Sequence, residues 1–350
     1  MKRYLKRFEV TEEFIIMAIS DCMKGDKLKR KDTQRYLNRY NHDYELMAKD
    51  ILMEIETHSI NVPPITYKEI IDNSNHKLRE IGVCHIKQQV YDYIVVNACK
   101  DMFNAKIGRY QCASIKGRGQ IYGKNAIYKW LNKDLKGTKY AYKCDIKKYF
   151  PSVNQDVLLK LLKRDIKNDT ILYILDTLIH TYKEGLCIGS YLSQYLANYY
   201  LSYLYHHISE KSYTIKHGKR YNHISHILFY MDDIILFSSN KKHLKRAICD
   251  LKLYAKEVLD LKIKDNERIF MPKGKECIDM MGFKIFRDHV IIRKRIWKRI
   301  FKLLIRYKDS RNRMNLKQCR RFTSYYGWII NSSHNVILAR YRVNSMMNEA

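Results

Sequence analysis

The sequence predicts an α+β fold, helices gathered around an antiparallel sheet, and three features predict it. HISHILFY (223–230), MDD and IILFSS (234–239) read as two apolar strands closed by a tight turn. MMGFKIF (280–286) and HVIIR (289–293) read as a second hairpin. Long stretches elsewhere place apolar residues at helical spacing.

The elements follow in order. Residues 1–60 are charged, poor in Gly and Pro, and carry Phe14, Ile15, Met17 and Ala18, then Tyr44, Met47 and Ile51, at near-helical spacing. Pro63 and Pro64 end that pattern. Residues 85–105 read as one amphipathic helix through Val90, Tyr91, Ile94, Val95 and Ala98. SIKGRGQIYGKN (114–125) is turn-rich, with Gly117, Gly119 and Gly123 baring the backbone and Lys116, Arg118 and Lys124 adding charge. Its glycine spacing is not a dinucleotide fingerprint, and no βαβ unit surrounds it; a charged hairpin is the competing reading. YAYKCDI (140–146) reads as a strand, and helices are expected at about 154–164 and at 169–180. Residues 185–209 hold no Asp, Glu, Lys or Arg, yet Gln194, Asn198, serines and histidines interrupt them. A bilayer span would bury those polar groups unpaired, so a loop and a buried helix are expected, and no membrane. A basic helix is expected at about 241–260, and from 291 the chain reads as helical and basic.

Charge narrows the function. Lys and Arg total 66 against 36 Asp and Glu, a net +30 over 350 residues. An enzyme of small acidic substrates does not need that excess. A protein lying along phosphates does, since each cation near a phosphate releases a condensed counterion. The length suggests about two domain-sized units or one larger enzyme with subdomains, and 46% apolar residues suffice for a core. Nine cysteines at irregular spacing, with no C-x-x-C, predict neither a disulfide framework nor a zinc module. Buried free thiols in a reducing cytoplasm are the expectation, matched by an N-terminus, MKRYLKRFEV, without an apolar leader segment.

The sharpest motif is Tyr230-Met231-Asp232-Asp233, two carboxylates at the tip of an apolar hairpin. Turns favour Asp, so an ordinary turn is the bland reading. A close acidic pair is costly unless a cation relieves it. A third carboxylate, Asp145, ends another apolar strand in CDIKKYFPSV. Carboxylates from separate strands suit Mg²⁺, a hard cation preferring oxygen, and two such ions can stabilise attacking and leaving oxygens in phosphoryl transfer.

Asp145 with Phe150, GLCIGSYLSQ, YMDD and MGFKIF follow the order and approximate spacing of the palm motifs of reverse transcriptases, and the chain resembles that family over roughly residues 84–345. The resemblance implies a right-hand polymerase: N-terminal helices and fingers at 1–139, a palm with an antiparallel sheet at 140–288 (finger helices at about 154–184), and a short basic helical thumb at 289–350. It implies Asp145 and Asp232 as metal holders with the Ile146 carbonyl, two Mg²⁺ ions with Mn²⁺ as a substitute, and Asp233 as support. Phe150 stands where the family places a gate against the ribose 2′-OH, with core packing as the bland reading. Lys116 and Arg118 would grip the triphosphate, Gly189 would let backbone approach the base pair, and Lys262 or Lys264 would protonate the leaving pyrophosphate. Met281, Gly282 and Phe283 would form the primer grip, with Tyr230 nearby. Arg295, Lys298, Arg299 and Lys302, interleaved with Trp297, Phe301 and Tyr307, would face the template–primer duplex. Residues 291–321 hold 13 Lys or Arg against Asp309 alone, and a solvated face is the competing reading.

Ile188-Gly189-Ser190-Tyr191-Leu192-Ser193-Gln194 is similar to the I/V/L-G-x-x-x-S-Q of bacterial and phage enzymes of diversity-generating retroelements and related unassigned groups. Retroviral and group II intron enzymes carry Q-G-x-x-x-S-P there, so Ile188 replaces a Gln that would contact the incoming nucleotide, and Gln194 replaces Pro. DMMGFKIFRDHVIIRKRI and SYYGWI look like the same group's thumb. A retron-type N-A-x-x-H is missing, although Asn97-Ala98 echoes it. No RNase H, integrase, endonuclease or maturase extension is expected after the thumb. The implied partners are template RNA, nascent cDNA and dNTPs, with a small basic accessory protein if the role is diversification. A structured noncoding RNA takes its place if the role is antiviral defence. A catalytically idle RNA-binding scaffold is the reading from another class; the intact Asp145, Asp232 and Asp233 argue against it.

Overall fold

The computed structural model describes residues 3–72, 77–309 and 315–333. In chain order its elements are α1 (Glu12–Cys22), α2 (Lys31–Asn38), α3 (Tyr44–Glu56), β1 (Thr66–Asp72), β2 (Lys77–Val83), α4 (Ile86–Ala98), α5 (Lys100–Lys106), α6 (Gln120–Lys133), β3 (Tyr140–Asp145), α7 (Tyr149–Ser152), α8 (Gln155–Asp165), α9 (Asp169–His180), α10 (Tyr191–His206), β4 (Tyr213–Lys216), β5 (Lys219–Asn222), β6 (His226–Tyr230), β7 (Asp233–Ser238), α11 (Lys241–Glu257), β8 (Arg268–Phe270), β9 (Ile278–Met280), β10 (Phe283–Ile285), β11 (Val290–Ile292), α12 (Lys294–Asp309) and α13 (Leu316–Ile330). The named strands pair antiparallel throughout, in the mixed helix-and-sheet architecture expected.

Side-chain caps set many helix starts, because the first amides of a helix have no internal acceptor. Thr11, Asp43, Asn154, Asn168 and Ser190 accept from amides in the first turns of α1, α3, α8, α9 and α10. Asn315 and Gln318 make a reciprocal capping box at α13.

The chain divides into two compact units. The first takes Met1–Ser114, Ile146–His207 and Leu251–Lys264. At its centre α4 packs against α1, α9 and α10, burying Ile86, Val90, Tyr91, Ile94 and Val95 together with polar Gln88 and Asp92. The uncharged stretch becomes α10, and its polar groups find partners. Tyr199 and Tyr203 hydroxyls both donate to Asp165, and the Tyr200 hydroxyl donates to the Leu259 carbonyl at 2.6 Å. Asn198 donates to the carbonyls of Ala113 and Gln194 at 3.0 and 2.9 Å. Among the described residues no helix is long and apolar enough to cross a membrane.

The second unit takes Ile115–Asp145, Ile208–Asp250 and Asp265–Ala350. Its four-stranded sheet has the order β6-β7-β3-β8, and a three-stranded sheet runs β11-β10-β9. Helix α6 lies on β6 and β10: Trp130 stacks on His226 at 4.7 Å and meets Phe237 edge-on.

Several expectations change. The 85–105 helix breaks at Cys99 into α4 and α5. The 114–125 stretch is no hairpin: Gly119 is the N-cap residue of α6, and Gly123 and Lys124 are buried inside that helix. Lys124 donates to the Asn331 carbonyl at 3.0 Å, beyond α13, where a cation suits a helix end. The 280–286 piece is not one strand. Met281 and Gly282, with φ of +53° and +81°, form a two-residue turn between β9 and β10, as hairpins with right-handed twist prefer. Hairpin β1–β2 went unforeseen because Lys and Glu populate both faces, and Ile70, Ile71 and Leu78 are exposed. Ribbon β4–β5 and short β8 were also unforeseen. All nine thiols are free, but Cys249 is exposed and Cys277 half-buried.

Candidate active site

The carboxylates are brought together by sheet register. Strand β3 ends on Asp145 and β7 begins on Asp233, directly opposite one another. Tyr230, the last residue of β6, also faces Asp233. Met231 and Asp232 close the hairpin, Met231 at φ +52°, a left-handed conformation costing a non-glycine roughly 1–2 kcal/mol. The buried strands Ile227–Phe229 and Ile234–Phe237 hold that turn.

Opposed residues on antiparallel strands have Cβ atoms about 5 Å apart. Two charges at that range repel by roughly 3 kcal/mol at an effective dielectric near 20. Burial and the nearby Asp145 and Asp232 push the Asp233 carboxyl up to about 7, against the pull of Lys143. Lys143, two residues before Asp145 on the same face of β3, places Nζ 2.9 Å from Asp233 Oδ1. Asn266 donates to Asp145 Oδ2 at 3.0 Å. A cleft of about 260 Å³ opens here, lined by Lys143, Asp145, Asn266, Arg268, Asp279 and Arg293. Arg293 is paired with Asp279.

These residues fit divalent metal. Burial first, and then the neighbouring Asp145 and Asp232, raise the proton affinity of Asp233, and a cation would favour its charged form and relieve the repulsion. No three His, Cys, Asp or Glu side chains among the described residues form a ready cage. Mg²⁺ does not demand one, since it keeps waters and takes one or two carboxylates plus substrate phosphates.

The second unit also holds Lys116, exposed, and Arg118, half-buried. Met281, Gly282 and Phe283 are buried: a Cβ on Gly282 would stand 2.4 Å from the Trp328 ring, and Phe283 lies 4.9 Å from it. On α12, Ile300, Leu303 and Leu304 are buried. Arg295 is half-buried and Lys298, Arg299 and Lys302 are exposed, at the i, i+3, i+4, i+7 spacing of one helix face. The Tyr307 side chain, and the part of the expected thumb at 310–314 and 334–350, lie outside the described residues.

In the first unit, Phe150 and the 185–194 segment form one neighbourhood. Phe150 is half-buried, and its carbonyl accepts from Leu186 N at 2.8 Å. A Cβ on Gly185 would stand 2.3 Å from that same oxygen. Half-buried Ile188 accepts at its carbonyl from Gly82 N at 2.8 Å. Gly189 is exposed at φ +123°, where any Cβ would lie 2.2 Å from Gly82 O, so only glycine fits. Gln194 Oε1 accepts from Ser114 Oγ at 2.8 Å. Ile146 is fully buried and bridges Ile263, between Lys262 and Lys264. The Lys262 carbonyl accepts from Lys147 N at 2.8 Å; the Lys262 side chain is exposed and that of Lys264 half-buried.

Sequence reasoning missed Asp92, which fixes this segment. It is fully buried on α4, and its Oδ2 accepts from Ser190 Oγ at 2.9 Å, Tyr191 N at 3.1 Å and Leu192 N at 3.4 Å. A carboxylate at the start of α10 meets unsatisfied amides and the positive end of the helix dipole. Burial still pushes its carboxyl up to about 7. The only trace in the sequence is an acid on the apolar face of a helix. Lys143 and Asn266 were also missed, having no motif of their own.

A family model described as reverse transcriptase (RNA-dependent DNA polymerase) matches residues 70–285, well over half of the chain. No curated protein matches.

Proposed function

This chain belongs to the reverse transcriptase family of RNA-dependent DNA polymerases, and from that premise we propose that it copies an RNA template into cDNA by two-metal nucleotidyl transfer. The observation that carries this reading is the register that sets Asp145 opposite Asp233, one residue from Asp232 in the turn. On this reading Asp145 and Asp232, with the Ile146 carbonyl, would hold Mg²⁺, with Mn²⁺ as a substitute. Bound metal would favour ionisation of the primer 3′-OH and offset charge on the phosphate oxygens. Asp233, paired with Lys143, supports the turn instead of taking both ions, and Asn266 orients Asp145.

The hand follows: fingers within 1–139, palm at 140–288, thumb at 289–350. Phe150 screens the sugar, Lys116 and Arg118 hold triphosphate, and Lys262 or Lys264 supplies the proton to pyrophosphate. Met281, Gly282 and Phe283 support the primer through their backbone, with Tyr230 beside the turn. The basic face of α12 follows the heteroduplex by charge and shape.

For biological role we propose the diversity-generating type, borne by a phage or bacterium and acting in the cytoplasm. Aliphatic Ile188 in place of a hydrogen-bonding Gln supports it. A defence role on a dedicated noncoding RNA is the alternative, and sequencing the RNA and cDNA that copurify would separate the two. The central test is primer extension on RNA with Asp232→Asn, which keeps side-chain volume and removes a ligand charge. Extension should vanish while RNA binding persists; extension near the wild-type rate would overturn the assignment.

A further inference from the structure

Ribbon β4–β5 belongs to neither larger sheet, and two isolated strands are marginal in water. This one is held at its root by a directional chain of hydrogen bonds. Arg246 donates to Thr214 Oγ1 at 3.1 Å, Thr214 Oγ1 lies 2.7 Å from His223 Nε2, and His223 Nδ1 lies 3.0 Å from Ser212 Oγ. Ser212 in turn donates to Asp250 at 2.7 Å. His223 is 5% exposed and burial lowers its pKa, so a neutral ring protonated on Nδ1 satisfies every link. Arg220, stacked 4.1 Å over Tyr213, ties the strands together and donates to the Glu210 carbonyl.

The tip has no such compensation. Lys216 and Lys219 sit directly opposite, a like-charge pairing that destabilises two strands. His217 and Gly218 form the turn between them, both at positive φ. Among the described residues no carboxylate pairs with either lysine. Tyr221 is 44% exposed two residues beyond Lys219, on the same face of the ribbon. Strand β6, about 13 Å long, separates the root of the ribbon from the Asp232–Asp233 turn.

We propose that the β4–β5 ribbon is a second RNA contact: Lys216 and Lys219 grip the phosphate backbone of single-stranded template outside the carboxylate site, and Tyr221 offers a face for a base. An unpaired lysine couple beside an exposed ring fits a stacked, phosphate-bearing strand. The identity of the polyanion as RNA rests on the proposed function.

The test uses the full chain with Lys216→Ala/Lys219→Ala/Tyr221→Ser, all exposed positions. Binding is measured against salt for a short RNA–DNA duplex, for the same duplex with a long single-stranded overhang on the RNA strand, and for one with the overhang on the DNA strand. Two lost phosphate contacts should flatten the log–log salt slope by about 1.4 on the RNA overhang, and extension on a duplex whose RNA strand overhangs only far enough to template the first additions should keep its kcat. An unchanged slope overturns the proposal, as does a loss confined to the DNA overhang. Loss of a copurifying acidic protein with an unchanged RNA slope also overturns it. Binding is read without catalysis, so a wild type that binds but does not extend would sink the proposed function and leave this inference standing.

Discussion

Replacing Asp92 separates two consequences of burying a carboxylate at a helix start. In Asp92→Ala, Ser190 Oγ, Tyr191 N and Leu192 N lose their shared acceptor. An orphaned buried donor costs about 1–3 kcal/mol. The two shorter bonds therefore set a loss of roughly 2–6 kcal/mol, a large part of a stability of about 5–15 kcal/mol. The loss falls on the segment carrying Ile188 and Gly189, so KM for dNTP should rise in any Asp92→Ala protein that folds. Asp92→Asn differs: it keeps an oxygen acceptor and never titrates.

The sign of the pH effect follows from burial. The folded carboxyl is pushed up to about 7, against about 3.9 in an unfolded chain. Below about pH 4 both states are protonated and Asp92 contributes no pH dependence. Between about pH 4 and pH 7 the unfolded chain ionises first, so the wild type is progressively destabilised, and above about pH 7 the penalty is complete. Its size is on the order of 4 kcal/mol, or several degrees in Tm. Asp92→Asn escapes it, whereas Asp233 titrates in both proteins and cancels in the comparison. Thermal melts of both from roughly pH 5 to pH 8 should show the Asn variant gaining on the wild type as pH rises. A Tm difference that stays flat across that range would refute an Asp92 held neutral by burial.

Three further outcomes are expected. Phe150→Ala should admit ribonucleotides, read as incorporation from rNTP against dNTP; an unchanged preference would leave Phe150 as packing. Neutralising Arg295, Lys298, Arg299 and Lys302 should flatten the salt dependence of heteroduplex binding by roughly 0.7–0.9 per lost phosphate contact, and an insensitive slope would return α12 to a solvated face. Ile188→Gln should restore a polar contact worth about 1 kcal/mol, roughly fivefold in discrimination. Deep sequencing of cDNA from one defined template reads that change, and equal error spectra would remove the main support for diversification.

What could be read from the chain was whatever imposes a local period or a local charge. Strands β6 and β7 announced themselves by apolar runs around an acidic turn, and Asp145 by the same kind of strand end, so the carboxylates were legible before any pairing was known. Their opposition was not: register is a property of two strands, and nothing inside YAYKCDI says which residue will face it. Hairpin β1–β2 escaped because Lys and Glu populate both of its faces and Ile70, Ile71 and Leu78 are exposed, which leaves no alternation to detect. Lys124 looked like one more cation in a basic loop, yet four residues earlier, at Gln120, the chain had already begun α6, and a helix carries every fourth side chain to the same side. Asp92 is the limiting case. Its neighbours Tyr91 and Ile94 say core, its charge says surface, and the conflict is resolved only by the start of α10, about a hundred residues later in the chain. A buried acid on an apolar helix face is therefore a sequence feature with content: it requires donors from elsewhere, and in this chain those donors belong to the segment proposed to meet the nucleotide.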